Sequence, residues 1–416
     1  MRILFLSAFY PPRYCGGYEL GCRQVVEGLK ARGHSALVLT GDYGGPHPED
    51  QARGVRRVLA YDLGPPASGY RRTARVLAKH ARNRQAVRRA IREFRPDLVY
   101  AWQLGPLGLA TVWEAQAAGL PVSSYVFDDE LTRWRADPFV TFWSHRAGLA
   151  LERGMKALLR RALLARGWTL EMTPDLAGAQ FASRFLRRTV AESGNPVAEG
   201  EVIPFGIEVG DFADKPAAAA PVRLLYAGRV ARQKGVHTAI EAVRLLVGEL
   251  GHPEASLSIV GGTTEPDYLA ALRRSVAEYR LQEKVRFLPA VAREAMPAVY
   301  RGHDALILPS IFDEPFGLVL LEAMASGLAV AATGSGGSAE ILRPDNSLLF
   351  PKEDAAACAR QLQRLIEDRG LYESLLRAGR RMVEREYRFG DTLDRIEASL
   401  WRRVEGSGQS PDRRSL

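Results

Sequence analysis

The chain has 416 residues, of which 46% are hydrophobic and 25% charged, as in an ordinary globular protein long enough for two domains. No uninterrupted apolar run reaches the roughly 18 residues of a membrane-spanning helix, which argues against an integral membrane protein. The three cysteines, Cys15, Cys22 and Cys358, match neither a disulfide framework nor a metal site, so we expect small buried side chains in a reducing cytoplasm.

The chain is basic, with a net charge of +9 and a pI of about 9.5. Its arginines are concentrated at 71–95 and 153–167. Such charge suits nucleic acid, an anionic membrane or phosphorylated small molecules. A nucleic-acid-binding protein is the weakest of these readings, because no recognition motif or aromatic platform accompanies the arginines.

Strands alternate with helices along the first half. A helical pattern over 19–33 ends at Gly33, a good helix terminator. The alternation predicts a doubly wound parallel sheet with helices on both faces. The predicted strands are ILFLSAF (3–9), SALVLT (35–40), DLVYAW (97–102), PVSSYVF (121–127) and a weaker segment at 179–182.

The second half repeats this pattern after a Pro-, Gly- and Ala-rich linker at 202–221. Its predicted strands are 222–228, 255–262, 284–291, 304–310 and 328–333. The predicted organisation is one domain over 1–203, a second domain over 204–385, a helix over 386–404, and a disordered tail over 405–416.

Ligands of parallel sheets bind beyond the carboxyl ends of the strands, so the loops that follow strands should carry the chemistry, in a cleft that the two domains face. Gly16 and Gly17 follow the first strand and precede a helix. Glycines there let a ligand approach backbone N–H groups at a helix N-terminus, which suits a phosphate, although a plain tight turn explains them as well.

The loop GRVARQKG (228–235) follows the first strand of the second half. It places Arg229 and Lys234 beside a predicted helix start. Two cations in such a loop are suited to a diphosphate, since Arg offers a fork of donors and Lys a compact charge. The alternative is a solvated basic loop.

Residues 310–327 read SIFDEPFGLVLLEAMASG. Pro315 breaks the chain after a predicted strand, and Phe316, Gly317 and Leu318 then begin a predicted helix whose first N–H groups can receive a phosphate. Glu314 precedes this helix and Glu322 lies about one turn inside it.

The string EPFGLVLLEAMASG resembles the nucleotide-proximal motif of the retaining glycosyltransferases of family 4, which have the GT-B fold. The other segments occur in the order of that family. They are the glycines at 16–17, the basic loop at 228–235, GSGGSAEIL (334–342) and the final helix YRFGDTLDRIEASLWRR (387–403). The resemblance spans about 1–404 and is closer in the second half. It implies that the domain over 1–203 binds the acceptor, that the domain over 204–385 binds the nucleotide sugar, and that the helix over 386–404 crosses back to the N-terminal domain.

The resemblance implies a role for each matching residue. Glu322 holds the donor ribose and Glu314 the transferred sugar, while Arg229 and Lys234 neutralise the leaving diphosphate. Gly16, Gly17 and the backbone of 316–318 bind phosphate or sugar oxygens. It also implies a nucleotide-diphosphate sugar as co-substrate, with no metal and no other cofactor.

One departure from the family pattern concerns YVFDDEL (125–131). Many members have His-Asp here, and Phe127 stands at the histidine position. Phenylalanine cannot move a proton, so either Asp128 takes the polar role or this branch handles a different acceptor or pose. The structural alternative for Asp128 is a helix N-cap. Asp128-Asp129 is not expected to bind a metal, and His145 is not expected to be catalytic.

The resemblance implies a bacterial enzyme of polysaccharide biosynthesis that moves a sugar with retention to a glycan, a lipid-linked glycan or a secondary metabolite. A glycan phosphorylase or a nucleotide-sugar epimerase on the same fold is the alternative. The stretch RGMKALLRRALLARG (153–167) fits either a peripheral helix on anionic lipid or an ordinary surface helix. The expected location is the cytoplasm, with peripheral membrane contact left open.

Overall fold

The computed structural model describes most of the chain. The described residues are 1–14, 16–61, 69–108, 110–144, 150–168, 170, 176–195, 197, 200–212, 215–218, 220 and 222–407. They group into two compact units, Met1–Ile203 with Leu393–Leu416, and Pro204–Thr392.

The first unit is built on a parallel sheet whose strands lie in the order β3-β2-β1-β4-β5-β6-β7. The strands are β1 Arg2–Ser7, β2 Ser35–Gly41, β3 Val55–Leu59, β4 Leu98–Ala101, β5 Val122–Val126, β6 Ala179–Phe181 and β7 Glu201–Val202. The side chains of 3–6 are completely buried because helices cover both faces of the sheet. The strand order reverses between β1 and β4, so the loops after these strands flank a crevice.

Helices connect these strands. In the described part of the first unit they are α1 Gly17–Ala31, α2 Asp50–Arg53, α3 Gly69–Phe94, α4 Ala110–Ala117, α5 Pro138–Ser144, α6 Ala150–Ala165 and α7 Arg184–Glu192. A short 3₁₀ segment, Glu130–Ala136, follows β5.

The second unit has a parallel sheet in the order β10-β9-β8-β11-β12-β13. Its strands are β8 Arg223–Ala227, β9 Ser256–Val260, β10 Val285–Leu288, β11 Ala305–Leu308, β12 Ala329–Ala332 and β13 Leu348–Leu349. Its helices are α8 Val236–Gly248, α9 Pro266–Glu278, α10 Met296–Arg301, α11 Leu318–Ala325, α12 Ala355–Glu367 and α13 Arg369–Glu386. The order reverses between β8 and β11, which sets the loops after these two strands side by side.

The two parallel sheets with covering helices confirm the predicted fold class. Each strand expected from the sequence is present, usually one or two residues shorter than predicted. The sequence pattern did not predict three of the strands, namely β3, β7 and β13. Strand β3 carries two arginines at an edge of its sheet, and the other two have only two residues each, too few for an apolar pattern to show.

The end of the chain differs from the prediction. The helix expected over 386–404 is α14, Phe389–Gly406. Residues 405 and 406, assigned to a disordered tail, are therefore helical. Val404 is completely buried, and this burial holds the last turn in place. Ser407 follows in a turn. The rest of the predicted tail, 408–416, lies outside the described residues.

Candidate functional site

The loop after β8 packs directly against the loop after β11. The backbone N–H of Ile311 donates to the carbonyl of Gln233 at 2.9 Å. Gly235 ends the β8 loop with φ +66°, and a Cβ there would overlap the carbonyl oxygen of Pro309. Only glycine combines this positive φ with so close an approach, so Gly235 fixes the position of its neighbour Lys234.

Lys234 and Glu314 form an ion pair across these two loops. The Lys234 Nζ lies 2.8 Å from Glu314 Oε1 and 2.9 Å from Oε2. Only 17% of the lysine side chain and 9% of the glutamate side chain are exposed, so the pair is largely screened from water. The ammonium also lies 4.4 Å from the centre of the Phe312 ring. The structure thus brings together two of the residues that the sequence predicted as functional.

Ser310, which the sequence analysis missed, belongs to the same cluster. Its hydroxyl donates to Glu314 Oε1 and is buried. A serine at the end of a strand gives little signal in a sequence, because the same pattern serves turns and caps. Here it orients the carboxylate that Lys234 contacts.

The glycine-rich segment after β12 holds the backbone of Glu314. Gly336 forms a short parallel bridge with Glu314, and the N–H of Gly337 donates to the Glu314 carbonyl at 2.6 Å. Thr333 and Ser335 donate to the carbonyls of residues 310 and 312 at 2.9 and 3.2 Å. These contacts fix the backbone around the carboxylate. The glycine-rich segment therefore has a structural role beside Glu314.

Glu322 lies within α11 and is bound by two residues that the sequence analysis missed. Tyr300 donates its hydroxyl to Glu322 Oε2 at 2.7 Å, and Arg293 Nη1 lies 2.8 Å from Oε1. Tyr300 is fully buried, so its hydroxyl needs a partner. Among the described contacts none joins Glu322 to Glu314, and the two carboxylates have separate partners.

The start of α11 differs slightly from the sequence expectation. The helix begins at Leu318, Gly317 is its N-cap with φ +121°, and Phe316 precedes it with a buried side chain. A non-glycine residue would be strained at Gly317. The first turn of α11 thus presents its N-terminal end beside Glu314, as a site for an anion requires.

Arg229 lies at the carboxyl end of β8 with an exposed side chain. Its carbonyl accepts a hydrogen bond from the Tyr226 hydroxyl at 2.7 Å, which holds the backbone of the loop. The described contacts do not join its guanidinium to Lys234 or Glu314. The two predicted cations therefore lie in the same loop, but the described contacts do not join their charged groups.

In the first unit, Gly16 and Gly17 are at the N-terminus of α1, as expected. The N–H of Gly16 donates to Glu19 Oε2 at 2.9 Å, and Glu19 is buried. A carboxylate of the chain itself thus occupies part of the helix N-terminus where the sequence predicted a phosphate.

Asp128 follows β5 and is half-buried. Its Oδ1 accepts the N–H of Glu130 at 3.0 Å, in a local turn that resembles the N-cap alternative. Burial raises the pKa of Asp128 to about 6, and the charge of Asp129 adds to the shift. Phe127 packs its ring 5.7 Å from the Tyr18 ring. Phe127, which the resemblance aligns with a histidine position, is therefore part of an aromatic cluster.

Glu130 is a further carboxyl group that the sequence analysis did not single out. It accepts the backbone N–H of Leu104 at 2.9 Å and that of Gly105 at 2.7 Å. It therefore ties the loop after β4 to the loop after β5. Burial raises its pKa well above the usual value, and the charge of Asp128 adds to this. Within FDDEL, the sequence alone could not distinguish the role of Glu130 from those of Asp128 and Asp129.

The remaining expectations concern histidine and metals. His145 lies outside the described residues. Within the described ranges, no group of three or more His, Cys, Asp or Glu side chains is arranged to hold a metal ion.

Two family models match consecutive parts of the chain. The one for "Glycosyltransferase Family 4" matches residues 15–210, and the one for "Glycosyl transferases group 1" matches residues 211–382. The matches cover both parallel-sheet units, and the second contains Lys234, Glu314 and Glu322. The chain belongs to family 4 of the glycosyltransferases and has the GT-B fold.

Relatives and solved structures agree with this assignment. The glycogen synthase of Mycobacterium tuberculosis is 29% identical over 405 residues, covering 93% of this chain and 91% of that protein. A D-inositol 3-phosphate glycosyltransferase of Salinispora arenicola is 37% identical over 163 residues, 39% of this chain and 34% of that protein. The Anabaena protein HepE in complex with UDP-glucose superposes with a TM-score of 0.71 at 20% identity, over 96% of this chain and 99% of that one.

Proposed function

We propose that this glycosyltransferase moves a sugar from a nucleoside-diphosphate sugar to an acceptor hydroxyl, with retention at the anomeric carbon and without a metal ion. The Lys234–Glu314 pair carries the proposal. It sets a fixed cation and a fixed carboxylate at the carboxyl ends of adjacent strands, beside the N-terminus of α11. That arrangement offers a charge for a diphosphate next to an acceptor for sugar hydroxyls.

The proposed donor contacts divide among the residues of this region. Lys234 and Arg229 neutralise the diphosphate, the backbone of 316–318 receives phosphate or sugar oxygens, and Glu314 binds hydroxyls of the transferred sugar. Glu322, oriented by Arg293 and Tyr300, binds the ribose. An ammonium has three N–H donors, so the pair with Glu314 leaves Lys234 donor capacity for a phosphate oxygen. In the first unit, Gly16 and Gly17 bind the donor only if a donor oxygen displaces the Glu19 carboxylate from the N–H of Gly16.

A uridine nucleotide is the first donor to test, because the structurally similar HepE was solved with UDP-glucose. The acceptor is proposed to be a glycan, a lipid-linked glycan or a small metabolite. The proposed location is the cytoplasm, where the inner face of the membrane would be within reach.

The proposed reaction is a front-face displacement. The bond from the anomeric carbon to the diphosphate oxygen breaks, and the acceptor oxygen bonds to the same face. The acceptor proton passes to the departing phosphate oxygen, so the products are the glycoside and the nucleoside diphosphate. The negative charge develops on phosphate, where preorganised cations and N–H groups stabilise it most effectively. Asp128 is proposed to bind a hydroxyl of the sugar or acceptor in place of the usual histidine.

A thermal-shift screen tests the donor half of the proposal. Nucleoside diphosphates and nucleotide sugars should raise the Tm of the wild type, since a ligand that binds only the folded state stabilises it. The shift should shrink in Lys234→Ala and Glu322→Gln. Absence of any shift with every nucleotide would contradict the proposed donor class.

A turnover assay tests the rest. The preferred nucleotide sugar, with a panel of glycan acceptors, should release nucleoside diphosphate only when an acceptor is present, and chelation of divalent metals should leave the rate unchanged. The anomeric configuration of the product, read by NMR, should match that of the donor.

Three other outcomes would contradict the proposal. Release of a sugar 1-phosphate in the presence of inorganic phosphate would indicate a phosphorylase. Conversion of the nucleotide sugar into another nucleotide sugar without an acceptor would indicate an epimerase. A glycosyl adduct trapped on Glu314 would overturn the front-face displacement.

A further inference from the structure

Helix α6 exposes a stripe of large apolar side chains. Leu151 is 76% exposed, Met155 64% and Leu158 70%. Their spacing of four and then three residues places them on one side of the helix, one turn above another. Large side chains exposed singly need no explanation, but three in a row on one helix form a patch that exposure to water disfavours.

The neighbouring side of the same helix is anchored to the first unit. Leu163 is buried, and Lys156 places its Nζ 5.2 Å from the centre of the Phe142 ring on α5. Just past the helix, Arg88 of α3 donates to the carbonyl of Gly167 at 3.0 Å. Because these contacts fix the inner side, the stripe of Leu151, Met155 and Leu158 cannot turn inward without breaking them.

The charge of this helix indicates what covers the stripe. Between 150 and 166 the chain has five basic residues and one acidic residue, a net charge of +4. Arg161 and Arg166 are exposed, and their positions in the helical turn place them on either side of the stripe. A second copy of the chain, packed stripe to stripe, would set two such charges against each other. An anionic lipid surface would neutralise them.

We propose that the stripe formed by Leu151, Met155 and Leu158 is a membrane-docking surface that enters the headgroup boundary of an anionic bilayer, with Arg161 and Arg166 beside the lipid phosphates. The helix lies on the membrane rather than across it. No helix in the described ranges is long and apolar enough to traverse a bilayer. Docking would bring the first unit to lipid-linked acceptors, but it does not depend on the proposed reaction, since lipid binding needs neither donor nor acceptor.

The test is co-sedimentation of the full chain with vesicles. The protein should co-sediment at low salt with vesicles of phosphatidylcholine that contain phosphatidylglycerol. Added salt should release the protein, because salt screens the attraction between basic residues and anionic lipid. Vesicles of phosphatidylcholine alone should bind it weakly. Leu158→Gln should lower the partition coefficient about tenfold, because the apolar contact with lipid is lost.

Leu164→Gln is the matched control. Leu164 lies on the same helix and is 44% exposed, but it points away from the stripe. This variant should bind vesicles like the wild type. Both leucines are exposed, so both variants should keep the wild-type Tm. A further variant, Arg161→Gln with Arg166→Gln, removes the two charges that flank the stripe and should bind less tightly and depend less on salt.

Three results would overturn the proposal. The first is no co-sedimentation of the wild type with phosphatidylglycerol vesicles at low salt. The second is equal binding of Leu158→Gln and the wild type. The third is a wild-type dimer in sedimentation velocity that Leu158→Gln dissociates while neither protein binds lipid, which would assign the stripe to a second copy of the chain.

Discussion

The Nζ of Lys234 lies within 2.9 Å of both carboxylate oxygens of Glu314, although the two residues are 80 positions apart in the chain. The cation that the family resemblance assigns to the diphosphate is thus paired with the carboxylate that it assigns to the sugar. A donor that enters this region must share or replace that ion pair. In the proposed reaction, the pair would therefore couple recognition of the leaving group to recognition of the transferred sugar.

Lys234→Ala should lower the turnover rate by on the order of 3 kcal/mol in barrier, roughly a hundredfold, as expected for the loss of one donor to a developing negative charge. The measurement is kcat with saturating donor and acceptor. Lys284→Ala is the control, since Lys284 precedes β10 and no described ion pair involves it. Near-wild-type turnover of Lys234→Ala would remove Lys234 from the proposed mechanism.

The same pair should contribute to stability. Lys234→Met leaves the Glu314 carboxylate in a largely buried position without its cation, and we expect a loss of about 1–3 kcal/mol in the free energy of unfolding. Adding Glu314→Gln to Lys234→Met removes the uncompensated charge and should recover much of that loss, without recovering turnover. Urea unfolding measures Lys234→Met, Glu314→Gln and the double variant. If the double variant is as unstable as the sum of the single variants, the two side chains do not interact as the structure indicates.

Glu322→Gln should weaken binding of the nucleoside diphosphate about tenfold, because a neutral amide is a poorer acceptor for ribose hydroxyls than a carboxylate. Calorimetric titration with the preferred nucleoside diphosphate gives the Kd. Tyr300→Phe removes only the 2.7 Å hydrogen bond that orients Glu322 and should cost a smaller factor in affinity. Unchanged affinity in Glu322→Gln would contradict the ribose assignment.

Gly235→Ala should destabilise the protein by about 2 kcal/mol or more, because the added methyl group meets the Pro309 carbonyl at a positive φ. It should also lower turnover, since Lys234 is the preceding residue. Gly248→Ala serves as the control. It ends α8 with no heavy atom within 4 Å of the added Cβ, and a change within about 0.5 kcal/mol is expected. Equal stability of the two variants would show that the β8 loop tolerates the displacement.

Asp128 should make stability depend on pH. Its pKa in the folded protein is raised to about 6, above the value of about 4 expected in the unfolded chain. The folded state therefore holds the proton more tightly, so the stabilising contribution of the protonated group is present below about pH 4 and is lost as the pH rises through 6.

Asp128→Asn cannot ionise. Compared with the wild type, it should gain on the order of 1–2 kcal/mol in the free energy of unfolding between about pH 4 and pH 8. Urea unfolding at the two pH values measures this gain. Asp267→Asn is the control, because Asp267 is exposed and lies in the second unit. The same stability difference from wild type at both pH values would show that Asp128 is not buried as a raised pKa requires.

Much of the site was predictable where the chain is locally distinctive. The segment EPFGLVLLEAMASG contains its own helix start, its apolar helix and both carboxylates, so sequence alone located Glu314 and Glu322. Partners from distant segments could not be found in this way. Arg293 lies 29 positions before Glu322 and Tyr300 lies 22 before it, and only the packing of α10 and its preceding turn against α11 brings them to the carboxylate.

The sequence by itself determined the alternation of strands and helices, because buried parallel strands need continuous apolar runs and helices need a 3.6-residue period. It also determined the family through short motifs. The tertiary structure alone decided that Lys234 is paired with Glu314, that Glu130 ties the loops after β4 and β5 together, and that the apolar stripe of α6 faces outward. These depend on contacts between residues far apart in the chain and on burial, and periodicity along the chain determines neither.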